Sequence, residues 1–216
     1  MKKGTPKFAV FALGENGQIR SALREIDDVH SKEPKAGQEQ NWTPGEDEQI
    51  PDELHYANRM TEYLLQHDSN PSELLRLAVR AQHLQRWEVP RADYPMNRMG
   101  YLSWRTAQKK RQATHAEEIC LSCGYSTEEA ARVGALVRKE DMKRDAECQV
   151  LEDVACLVFL ADQFEKFEQE HGEDREKIVN ILRKTWAKMS ERGHELALQI
   201  KMSDQAKGLV AEALET

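Results

Sequence analysis

At 216 residues with 39% apolar content, the chain can bury one substantial core and leaves little for a second independent domain. A net charge of −7 and 32% charged residues argue against a general nucleic-acid binder, and no apolar window approaches the roughly 20 residues of a membrane span. Four cysteines without a secretory processing site point to a reducing, cytoplasmic setting. The opening MKKGTPKFAVFALGENG mimics a signal peptide, but its apolar run is too short, and Gly14, Glu15 and Asn16 follow where a cleavage site is needed.

Ile19, Leu23, Ile26 and Val29 recur at helical spacing and predict a first helix over 18–29. Lys35 to Pro51, rich in Gly, Glu, Gln and Pro, has no period and reads as an exposed loop. Residues 1–50 are therefore an amino-terminal helix and flexible loop, ahead of a helical domain at 51–201 and a tail at 202–216. Asp52 is placed to cap a helix through His55, Arg59, Met60, Tyr63 and Leu64, stopped by Asp68, Ser69, Asn70 and Pro71. Ser72 caps the next, on which Leu74, Leu77, Ala78, Ala81 and Leu84 form a core-facing stripe. His83 sits at the edge of that stripe, with Arg80 one turn before and Arg86 and Trp87 one turn after. The spacing predicts that these side chains converge on one side of a single helix.

Glu88 to Gly100, punctuated by Pro90 and Pro95, reads as a structured loop beside that helix, a place where binding groups tend to sit. A helical pattern resumes at Trp104 and runs through His115 to Leu121, with Gly124 as C-cap. Ser126 or Thr127 opens another helix reaching Lys139. Asp145 to Phe167 is the most apolar helix, and Glu176 to Leu198 is the last long one. On the latter, Arg183, Lys184 and Lys188 form either a solvated face or an anion site. Beyond Ile200 the tail is a short amphipathic helix or a frayed end. With no strand signal and no repeat, the predicted fold is all-α, a single-domain helical bundle.

Charge is unevenly spread. Between Arg76 and Arg111 nine basic residues stand against Glu88 and Asp93, a local surplus of seven in an acidic chain. Such a window suits a bound small anion, and it lacks the aromatic motif of an RNA-binding surface. Cys120 and Cys123 form a lone CxxC with no second pair at zinc-site spacing and no preceding strand, so it reads as packing near a helix end.

Three histidines, His55, His83 and His115, fall on three predicted helices, and Asp153 falls on a fourth. Imidazole nitrogen and carboxylate oxygen suit a divalent transition metal such as Mn, Fe, Co, Ni or Zn, and facing helices can bring such ligands to one point. A metal so held activates water and neutralises a phosphate while arginines clamp the remaining oxygens. Asp153 shares a face with Cys156 and Leu160, so its carboxylate needs either that metal or a cationic partner, Arg80 or Arg59. His30, His67, His171 and His194 fall near loops or polar faces and carry no chemistry in this reading.

In order along the chain stand ELHYANRMTEY at Glu53 to Tyr63, AVRAQH ending at His83, THAEE around His115, CGY at Cys123 to Tyr125, and AECQVLEDVACLVF ending at Phe159. This order resembles the HD superfamily of metal-dependent phosphohydrolases. The resemblance implies an HD-domain-like helical fold, a divalent metal on His55, His83 and Asp153 with His115 as a further ligand, and hydrolysis of a phosphate ester, commonly of a nucleotide. Where that superfamily has aspartate directly after the paired-motif histidine, this chain has Leu84, and Glu117 or Glu152 is the candidate substitute ligand or general base. More closely, RAQH, RW, PR, YPM, RMGYLSWR, LEDVACLVFL and RKTWAKMS resemble the family known as domain of unknown function 4202 over most of Pro51 to Lys201, a label that implies no activity.

The expected function is a metal-dependent phosphohydrolase acting on a small phosphorylated substrate, with Arg80, Arg86, Arg91, Arg98 and Arg105 binding phosphate. The alternative, favoured by Leu84, is a non-catalytic HD-like module that binds an anionic metabolite through an arginine-rich pocket.

Overall fold

The computed structural model describes residues 17–34, 50–164, 167 and 174–215. The leader-like opening, most of the Lys35 to Pro51 loop and His171 lie outside them. Among the described residues every regular element is helical, and the protein is an all-α bundle. None of these helices is long and apolar enough to cross a membrane.

Helix α1 (Gly17–His30) buries Ile19, Ala22, Leu23 and Ile26, the three- and four-residue steps of one face. Helix α2 (Asp52–His67) starts one residue earlier than its expected cap would place it, because Pro51 takes the N-cap position. Ser72 caps α3 (Glu73–Arg80) as the sequence indicates, its hydroxyl accepting from Leu75 N. There the single predicted helix breaks. His83 and Gln85 adopt left-handed backbone with φ of 65° and 53°, and a 3-10 turn follows at Arg86–Glu88. No proline or glycine causes the break. It is held from outside, by the fully buried Leu84 and by Glu53 of α2, whose Oε1 accepts from Arg86 N at 2.7 Å.

Helix α4 (Arg98–Ser122) begins six residues before Trp104, capped by Asn97. A Cβ on Gly100 would lie 2.0 Å from Pro95 O, so only glycine lets the preceding loop return this closely. Gly124, at φ 88°, ends α4 as expected, and Ser126 with Glu129 forms a capping box opening α5 (Thr127–Arg138). Lys139, left-handed at φ 57°, closes α5. Helix α6 (Ala146–Val158) runs from its Asp145 cap into one π turn at Phe159–Gln163.

The predicted helix over 176–198 is two helices, α7 (Arg175–Trp186) and α8 (Glu191–Ala197), parted at Ser190. The tail forms α9 (Asp204–Leu214), which packs on α7 through Ala206, Leu209 and Ala213 and is no frayed end. Helix α6 is central and packs against α2, α3, α5 and α8, with Leu151, Val154, Leu157 and Val158 essentially solvent-free. Each such aliphatic side chain contributes about 1.5–3 kcal/mol of burial.

Candidate functional site

The interruption after α3 faces a cleft of about 300 Å³ whose walls come from α2, α4, α6 and the end of α7. Tyr56 lines it from α2, His83 and Arg86 from the turn, and Arg105, Gln108 and Lys109 from α4. Lys139 enters from the end of α5, Glu152 from α6, and Lys188 from just past α7.

At one end the left-handed backbone lays the His83 ring flat on Tyr56, with centroids 4.0 Å apart and planes 12° from parallel. Arg86 Nη1 donates to His83 Nε2 at 2.9 Å. A guanidinium can only donate, so Nε2 accepts, and the neutral ring carries its proton on Nδ1. Burial, then the positive charges of Arg86 and Lys139, hold the His83 pKa well below the usual histidine range. The Arg86 guanidinium lies 4.9 Å from the Trp104 ring, and Arg105 lies 5.8 Å from that of Tyr101. Glu53 braces the turn from below. Its second oxygen meets His30 Nδ1 at 3.2 Å, while His30 Nε2 donates to Arg80 O at 3.0 Å. Because Nε2 is committed to a carbonyl, the contact at Nδ1 needs a proton on one partner or the other.

At the other end Lys139 Nζ lies 2.5 Å from Glu152 Oε2, and Lys188 Nζ lies 3.5 Å from Oε1. Burial pushes the Glu152 carboxyl up, but Lys139, Lys188 and Lys109 outweigh it and hold the group below the usual carboxylate range. Burial, then the like charges of Lys139 and Arg105, push the Lys109 ammonium down. The cleft thus gathers five cations, Arg86, Arg105, Lys109, Lys139 and Lys188, around one carboxylate, Glu152.

Of the residues given a metal, catalytic or phosphate role in the sequence, His83, Arg86, Arg105 and Glu152 line this cleft, as does Lys188 of the alternative anion run, and the rest of that set do not. Arg80 leaves on the opposite side of the break and bonds Asp27, Asn58 and Thr61 at 2.6, 2.8 and 3.1 Å, so the predicted one-sided cluster is corrected. Arg91 caps carbonyls of Tyr94 and Pro95, and Arg98 is exposed at the start of α4. His55 faces Asp162 at 3.7 Å, the acid that also pairs with Arg59. His115, partly buried on α4, does not line the cleft. Glu117 pairs with Arg138 at 2.7 Å across the α4–α5 seam.

Asp153, solvent-free, accepts from His67 Nε2 at 2.9 Å, Gln149 Nε2 at 2.8 Å, Ser190 N at 2.9 Å and the Ser190 hydroxyl. Its partner is thus neither Arg80 nor Arg59. Nor do His30 and His67 sit on polar faces, since both are built into buried pairs. The CxxC cysteines are free thiols, with Cys120 buried and its pKa pushed up to about 12 by that burial, and with Cys123 Sγ near Glu25 at 3.4 Å.

The profile of a family described as a domain of unknown function, DUF4202, matches residues 20–210. The chain belongs to the DUF4202 family. No curated protein and no solved structure matches it.

The metal expected for this DUF4202 chain can be tested on the donors. Two donors already approach each Asp153 oxygen, using the four lone-pair sites a carboxylate has. His83 Nε2 accepts from Arg86, and His55 is turned to Asp162. Among the described residues no three His, Cys, Asp or Glu side chains gather as a metal needs, so the donor set does not fit the ion.

Lys109 and Lys139 are the cleft lysines to which sequence reasoning gave no site role, whereas Lys188 stood in the run read as either a solvated face or an anion site. The four-residue step from Arg105 to Lys109 was a usable signal, because it puts two cations on one helix face. Nothing local marked Lys139, which arrives only because α5 ends in a left-handed turn beside α6.

Proposed function

We propose that this DUF4202 protein is a binding module for a small phosphorylated metabolite, held in the cationic cleft without a metal. The observation that carries the reading is the imbalance of five cationic side chains against Glu152 in one partly buried concavity. Guanidinium and ammonium groups this close repel one another, and an anionic ligand turns that repulsion into attraction. A volume near 300 Å³ lies at the small end of ligand pockets and suits a metabolite better than a polymer. Hydrolysis would need ligands that are already bonded elsewhere, so the proposal stops at recognition.

A thermal-shift screen of sugar and nucleoside phosphates, run with and without Mn²⁺ at fixed ionic strength, tests this. A ligand at a hundredfold excess over Kd adds about 2.7 kcal/mol, and each kcal/mol moves Tm by about 2–4 °C in a domain of this size. A phosphate-dependent rise in Tm that Mn²⁺ does not enlarge is the expected result, and it should vanish in Arg86→Ala. Melting indifferent to every phosphate, or a rise that appears only with the metal, overturns the reading.

A further inference from the structure

The five cations of the cleft differ in chemistry and in their partners. Arg86 and Arg105 stand against Trp104 and Tyr101, whose rings are 6.1 Å apart, and form a guanidinium end. Lys139 and Lys188 both lie within 3.5 Å of Glu152 oxygens and form an ammonium end. Lys109 is one turn along α4 from Arg105, and it lines the same cleft as both sets.

Resting on the phosphate-binding reading, we infer that the ligand carries two separated phosphoryl groups, one for each end of the cleft. Charge matching is the first reason. Five cations less one carboxylate leave four positive charges, with His83 neutral. A phosphate monoester brings about −1.5 to −2 at neutral pH, so one phosphoryl group leaves half the surplus unmet, whereas two bring about −3 to −4.

The chemistry of the two ends is the second reason. Arg86 and Arg105 offer planar forks suited to bidentate contact with phosphate oxygens, and Lys109, Lys139 and Lys188 offer compact point charges that tolerate varied geometry. Glu152 is the hinge of the ammonium end. It pairs with two lysines, and each of those ammonium groups has further donors to give an incoming phosphoryl oxygen. Size is the third reason, since about 300 Å³ suits a sugar-sized body carrying two such groups.

Isothermal titration with fructose 6-phosphate, fructose 1,6-bisphosphate and citrate on the full chain separates the alternatives. The bisphosphate is expected to bind at least tenfold more tightly than the monophosphate and than citrate. Arg105→Ala and Lys188→Ala each remove one exposed side chain, so the fold survives, as far-UV circular dichroism will verify. Each variant is expected to drop bisphosphate affinity to the monophosphate level while changing monophosphate affinity only a few-fold, since the untouched end still serves. Equal affinity for the mono- and bisphosphate, or tighter binding of citrate, overturns the two-ended ligand and leaves the anion cleft standing. Absence of binding by all three probes removes both this inference and the reading beneath it.

Discussion

Each oxygen of Asp153 accepts two hydrogen bonds, from donors on α2, on α6 and at the gap between α7 and α8. The group therefore joins three parts of the bundle, and its worth is structural. Removing one partner of a buried charged pair costs about 3–5 kcal/mol, because the other is left unsatisfied. Asp153→Ala is expected to lose that much in urea unfolding at pH 7. Burial pushes the Asp153 carboxyl up, but His67, Ser190 and Gln149 outweigh it, and its folded pKa lies below the ordinary value. A depressed carboxyl stabilises the fold above its unfolded pKa and loses that stabilisation as pH falls through the folded one. The gap between wild type and Asp153→Asn should accordingly narrow as pH falls from about 4 towards the folded pKa, and a gap that does not change with pH across the acid range would contradict this assignment. Glu152, one residue away, faces the cleft instead, so adjacent acids on α6 serve different faces of one helix.

Helices α4 and α5 pack closely at Gly134. A Cβ on Gly134 would stand 1.7 Å from Glu117 Oε1 and 2.7 Å from its Cγ, displacing the carboxylate from Arg138. Gly134→Ala gains about 1 kcal/mol of helix propensity but incurs about 1–3 kcal/mol of overpacking, so its melting temperature should fall. In a Glu117→Ala background the clash is gone and the same substitution should stabilise, a reversal that a double-mutant cycle measures.

Helix existence was legible from apolar spacing, and caps were legible where a local side chain does the work, as at Ser72 and in the Ser126–Glu129 box. The breaks after Arg80 and at Ser190 were not. Glu53 braces the first through Arg86 N, and Asp153 braces the second through Ser190 N, so the groups that hold each break lie 33 and 37 residues away.

Over the whole molecule the net charge of −7 conceals a cationic concavity, and only part of the basic window between Arg76 and Arg111 builds it. Arg86, Arg105 and Lys109 enter from that window, and Lys139 and Lys188 come from two later elements. The donor arrangement also sets an expectation for the intact protein. Tag-free material is expected to show the same Tm with EDTA as with added Mn²⁺ or Zn²⁺, and metal analysis should give substoichiometric ions. A metal-dependent gain of several degrees would mean that donors now bonded to one another rearrange on binding.

Sequence by itself determined the all-α class, most helix positions, DUF4202 membership and the presence of an anion-seeking basic segment, because apolar period, capping chemistry and charge are properties of short stretches. Tertiary structure alone decided which charged groups meet. Backbone breaks that no local residue imposes sent Arg80 away from the cleft and His83 and Arg86 into it, while Asp153 was taken up by a helix junction. A side chain's partner depends on how distant helices pack, and that information is spread over the whole core.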